Sequence, residues 1–74
     1  MTPEGFRAVS PLEFARFMAE HGELFVYHST MQRRRLTLYV RPGATTNAGI
    51  IGILDDATGQ EFLRADRMGV ESAA

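Results

Sequence analysis

The chain has 74 residues, no cysteine, 8 basic and 9 acidic residues and a net charge of -1. A chain this short makes one small domain (1–74) that buries only about 60% of the surface its unfolded form exposes, and without cysteine it has neither disulfides nor thiolate zinc sites, which leaves self-association as the available aid. The balanced charge excludes a global field toward nucleic acid or anionic lipid, and any such binding needs a local patch. No charged leader with an apolar stretch and no apolar run of about 20 residues marks secretion or membrane insertion. Together with the missing cysteines this points to the cytoplasm.

In chain order, Gly5 to Val9 alternates Phe6 and Ala8 with Arg7 and Val9 and reads as a short edge strand. Ser10-Pro11-Leu12-Glu13 then carries the markers of a helix start. Ser10 is placed to accept from the Glu13 amide, the Glu13 carboxylate to reach back to the Ser10 amide, and Pro11 to occupy the first helical position, where no donor is needed. Val9 and Phe14 complete a hydrophobic staple. The helix spans Pro11 to His21 and stops at Gly22, a residue suited to the left-handed C-terminal cap. Its apolar arc is broad, with Phe14, Ala15, Phe17, Met18 and Ala19 against a narrow polar sector of Glu13, Arg16 and Glu20.

Beyond Gly22 the period becomes alternating and predicts four strands: Glu23 to Thr30, Arg34 to Arg41, Ile50 to Leu54 and Gln60 to Ala65. Asp55 to Gly59 is a hairpin loop in which Asp bonds its own backbone and Gly59 takes a positive φ; Pro42 to Gly49 is a longer connection. The ordered core is expected over residues 5–66, with a frayed tail over 67–74. The fold class is therefore α+β, with the capped helix on a four-stranded antiparallel meander and a short N-terminal edge strand (β-α-β-β-β-β). A small curled barrel is the alternative, favoured by Gly52, which marks a bulge or bend within its strand.

Sorting by alternation places Leu24, Val26, Leu36, Leu38, Val40, Ile51, Ile53 and Leu63 on one aliphatic face, expected to lie under the helix. The opposite face then carries Phe25, Tyr27, Thr37, Tyr39, Arg41, Ile50, Leu54, Phe62 and Arg64. That face is too apolar for a plain solvent-facing sheet. Closure into a barrel, the N-terminal segment or another chain would cover it.

Tyr, Phe and Arg are enriched at interfaces, so Tyr27, Tyr39, Arg41, Phe62 and Arg64, with the turn residues Arg33, Arg34 and Arg35, form the expected partner-binding set. The functional expectation is a small non-enzymatic protein-interaction module, a homodimer that binds a protein partner. The alternative is a nucleic-acid-binding regulator stacking bases on the same aromatics, set against a reading of the three arginines as a solubilising turn.

Nothing else in the chain carries chemistry. His28 and Ser29 are strand neighbours pointing to opposite faces and cannot pair as base and nucleophile, and His21 is a helix-end residue. Asp55 and Asp56 with Glu61 lack a calcium-loop pattern, and Gly43, Gly49 and Gly52 fit neither a dinucleotide nor a phosphate loop. No catalytic group, metal or cofactor is expected.

Overall fold

The computed structural model describes residues 2–65; the tail expected to fray, 67–74, lies outside the described residues. The elements are β1 (Phe6–Val9), α1 (Pro11–His21), β2 (Phe25–Met31), β3 (Arg34–Val40), a 3-10 turn (Asn47–Gly49), β4 (Ile50–Asp55) and β5 (Glu61–Arg64). All five strands form one antiparallel sheet in the order β1-β5-β4-β3-β2. This is the expected α+β arrangement. The barrel alternative is not what forms, because β1 and β2 remain edges that do not pair with each other.

The helix start follows its residues. Ser10 Oγ accepts from the Glu13 amide at 3.1 Å, Pro11 opens the helix, and Val9 and Phe14 share a buried cluster. The Glu13 carboxylate, however, binds the Arg7 guanidinium rather than the Ser10 amide, since Arg7 presents a charged donor from the adjoining strand. Arg7 in turn holds Glu13 below the usual carboxylate range, burial opposing the shift only in part. Gly22 closes the helix at φ 76°.

The two faces differ from the expected sorting. Helix α1 packs through Phe14, Phe17 and Met18 on Val9, Leu63 and Tyr39, with the Phe14 and Tyr39 rings edge to face at 5.3 Å. Gly52 makes this approach possible: a Cβ there would lie 2.5 Å from Met18 Cε and 3.2 Å from the Phe14 ring. Leu36, Ile53 and Phe62, with Phe6, Leu38 and Ile50 against them, form a second cluster on the other side of the sheet.

The cause is parity. A two-residue turn at Gln32-Arg33 sets Val26 opposite Tyr39 and Tyr27 opposite Leu38, so even-numbered residues of β2 share a face with odd-numbered residues of β3. The β4–β5 loop does the same, pairing Ile53 with Phe62 and Gly52 with Leu63. Only between β3 and β4 do residues expected to share a face do so, as in Leu38 opposite Ile53, but they lie on the side away from the helix rather than under it, where they were expected. The register shifts between Tyr39 and Val40, which leaves Ile51 without a partner directly beside Gly52; this is the bulge expected there.

Candidate interaction surface

β2 is the exposed edge of the sheet. Along its seven residues only Ser29 is half-buried, and Phe25, Val26, Tyr27 and Met31 are each about half exposed, at 45, 51, 53 and 53%. Unpaired strand edges are templates for another strand, and proteins ordinarily blunt them with charge, proline, glycine bulges or shortness. β2 contains no Arg, Lys, Asp, Glu, Pro or Gly. The opposite edge, β1, is treated otherwise: it has four residues, carries the ion-paired Arg7, and its Val9 carbonyl accepts from the Gln60 side chain at 3.1 Å.

The hairpin turn determines which backbone groups β2 presents. Gln32 and Arg33 both have positive φ (52° and 65°), the signature of a type I′ turn, here built without glycine or asparagine. In such a hairpin the flanking residues, Met31 and Arg34, exchange both backbone bonds, and bonding alternates along the ladder. Met31, Ser29 and Tyr27 therefore bond to β3. Thr30, His28 and Val26 direct their N–H and C=O groups outward.

The eight residues expected to meet one partner are dispersed. Tyr27 stands on the helix-free face between Phe25 and Met31. Arg33 is exposed at the turn, Arg35 is exposed opposite Thr30 on the helix side, and Arg34 faces the other way, its guanidinium on Asp55 at 3.0 Å. The Arg33 to Arg35 run is thus split three ways by turn and pleat. Tyr39 is half-buried under α1, where burial first, and then Glu61 and Asp56, raise its hydroxyl above the usual range. Phe62 is 2% exposed and belongs to the core. Arg64 lies over the Phe6 ring at 4.6 Å and donates to the Ile50 and Asn47 carbonyls, which ties β5 to the 3-10 turn. Arg41 is exposed just past β3.

Asp55 is almost fully buried. Burial works against its charge, but the Ala57 amide on Oδ1 and Arg34 on Oδ2 more than offset that and hold the carboxyl below the usual range. The neighbouring turn residue Asp56 takes part in a hydrogen-bonded chain that the residue pattern did not signal. Thr37 Oγ1 donates to Asp56 Oδ1 at 2.8 Å and lies 3.3 Å from His28 Nδ1. With its single proton given to Asp56, the hydroxyl is left to accept from His28 Nδ1–H, which orients the ring. The only sign of this was an isolated Thr between Leu36 and Leu38. An open hollow of about 370 Å³ lies beside the chain, lined by His28, Thr30, Arg35 and Asp56 among others. Ser29 also borders the hollow, but as the next residue of the strand it directs its side chain to the face opposite His28.

Among the described residues no group of three or more His, Cys, Asp or Glu is arranged to hold a metal ion, and no helix is long and apolar enough to cross a membrane. Comparison with protein-family models, curated proteins and solved structures gives no match to this chain.

Proposed function

We propose that the chain is a small non-enzymatic protein-interaction module of the cytoplasm, self-associating, that engages protein partners by strand addition along β2. One observation carries the reading: β2 is a seven-residue edge that leaves Phe25, Tyr27 and Met31 exposed on one face and Val26 on the other, without any blunting feature, in a domain whose other edge is short and capped. Strand addition draws affinity from main-chain hydrogen bonds and selectivity from alternate side chains, and here those are Val26, His28 and Thr30 on one side and Phe25, Tyr27 and Met31 on the other. The exposed Arg33 extends the surface at the turn end. The partner-binding set expected from sequence is thereby narrowed to Tyr27 and Arg33, with Phe25, Val26 and Met31 added.

The nucleic-acid alternative has less support. Arg7 and Arg34 are ion-paired, Arg64 is hydrogen-bonded within the fold, and Phe62 and Tyr39 are turned away from any common stacking platform. Sedimentation equilibrium over a wide concentration range tests the proposal. A mass that rises toward the dimer, and a Phe25→Ser/Met31→Ser variant that stays monomeric with an unchanged circular dichroism spectrum, are the expected results. A wild-type chain that is monomeric throughout would overturn the self-association.

A further inference from the structure

Resting on that reading, we infer that the occupant of β2 is the same strand of a second copy, paired antiparallel about a two-fold axis at His28. The register follows from the backbone. Outward-facing groups fall on Val26, His28 and Thr30, which are symmetric about His28, so a second copy turned end for end sets Val26 against Thr30, His28 against His28 and Thr30 against Val26. Each of these is a pair in which both backbone bonds can be exchanged. A centre at Tyr27 or Ser29 would instead oppose residues whose groups are already used by β3.

The side chains agree with this register. On the helix-free face Phe25 meets Met31 of the second copy and Tyr27 meets Ser29, and sulfur against an aromatic ring is a favourable contact. Both members of the first pair are about half exposed in the single chain. Past the last ladder pair, Arg33 of one copy comes opposite Glu23 of the other. Both are exposed, the charges are opposite, and the two-fold repeats the pair at the other end. No charge within β2 opposes itself. The axis runs through the sheet, so the two helices lie on one side of a continuous ten-stranded sheet in which only the short β1 edges remain free.

The chain has no cysteine, which makes single-cysteine variants clean reporters. Facing residues in a bonded antiparallel pair have Cα atoms about 5.5 Å apart, within the roughly 4.4–6.8 Å that a disulfide spans. Position 26 or 30 lies about 15 Å from its own counterpart, four residues along at about 3.4 Å each and one strand across. Val26→Cys, Tyr27→Cys, His28→Cys, Ser29→Cys and Thr30→Cys would be oxidised with copper phenanthroline alongside sedimentation of the unmodified chain. The expected outcome is a dimer that cross-links at least about ten-fold faster through His28→Cys than through the other single variants, and at about half the His28→Cys rate in an equimolar mixture of Val26→Cys with Thr30→Cys, where half of the dimers pair the two positions. The mixture keeps the test decisive if His28→Cys disturbs the fold. A dimer whose cross-linking peaks elsewhere, or is uniform along β2, overturns this register and leaves self-association standing. A monomer with no cross-linking overturns both.

Discussion

The type I′ turn stores strain that can be released. Gln32 at φ 52° and Arg33 at φ 65° occupy the left-handed region, which costs a residue with a side chain roughly 1–2 kcal/mol. Gln32→Asn/Arg33→Gly installs the pair that this turn favours, because Asn tolerates the region and Gly enters it without penalty. Glycine returns about 0.4–1 kcal/mol through the freedom it adds to the unfolded chain, so the net gain is roughly 1–2 kcal/mol. For a domain of this size each 1 kcal/mol moves the midpoint by about 4–8 °C, and the variant should melt roughly 5–15 °C higher by circular dichroism at a concentration where the chain is monomeric. The same change should act oppositely on association. It removes Arg33 from two symmetry-related pairs with Glu23, each a modest exposed contact, and should raise the dimer dissociation constant by roughly 2- to 30-fold. A variant no more stable than wild type would refute the strain argument. One that is more stable yet dimerises equally well would remove Arg33 from the interface.

Gly49→Ala would set a Cβ 2.1 Å from Ala44 Cβ, a contact that no flexible side chain can relieve, and should cost about 1–3 kcal/mol in urea unfolding; Ala44→Gly in the same chain should recover most of the loss. Phe62→Ser removes a ring that is 2% exposed and should destabilise by about 3–5 kcal/mol, judged from Phe→Ala in cores, whereas Tyr27→Ser should stay within about 0.5 kcal/mol of wild type in the monomer. Equal losses in the two would place Tyr27 in the core. Asp55 has a folded pKa below its unfolded value of about 3.9, so its contribution is fully present above that pH and disappears as pH falls through the lower folded value. The urea midpoints of wild type and Asp55→Asn should therefore differ at pH 7 and converge below about pH 4; a constant difference would contradict the assignment.

Local chemistry was legible in this chain and parity was not. Ser10, Pro11 and Gly22 delimit α1, and Asp55 and Gly59 build the β4–β5 loop as their residue types require, with the Ala57 amide on Asp55 and φ 77° at Gly59. Which residues share a face depends on the number of residues in each turn, and a change of one inverts every side chain of the next strand. The β2–β3 turn has no Asn-Gly or Gly-Gly to announce its two-residue length, so Tyr39 and Phe62 looked like companions although the sheet separates them. The same inversion divides Arg33, Arg34 and Arg35. The link from Thr37 to Asp56 spans 19 residues and arises only once β3 and the turn after β4 are adjacent.

The exposure of β2 follows from the geometry of one helix on five strands. An α-helix is about 10 Å wide with its side chains, and strands are spaced about 4.8 Å apart, so α1 covers two or three of them. Besides Val9, which leads into it, its contacts include Leu63 on β5, Gly52 on β4 and Tyr39 on β3. β2 lies one spacing further out, where Val26 on the helix side and Phe25, Tyr27 and Met31 on the other are each about half exposed. Making β2 polar would solve the exposure and cost the domain little, since neither buried cluster includes a residue of β2. The chain keeps Phe25, Val26, Tyr27 and Met31 exposed on this strand with no Asp, Glu, Lys or Arg among its residues, while β1, which faces the same problem, is short and carries Arg7. That asymmetry between two edges of one sheet is the reason to assign β2 to association rather than to folding.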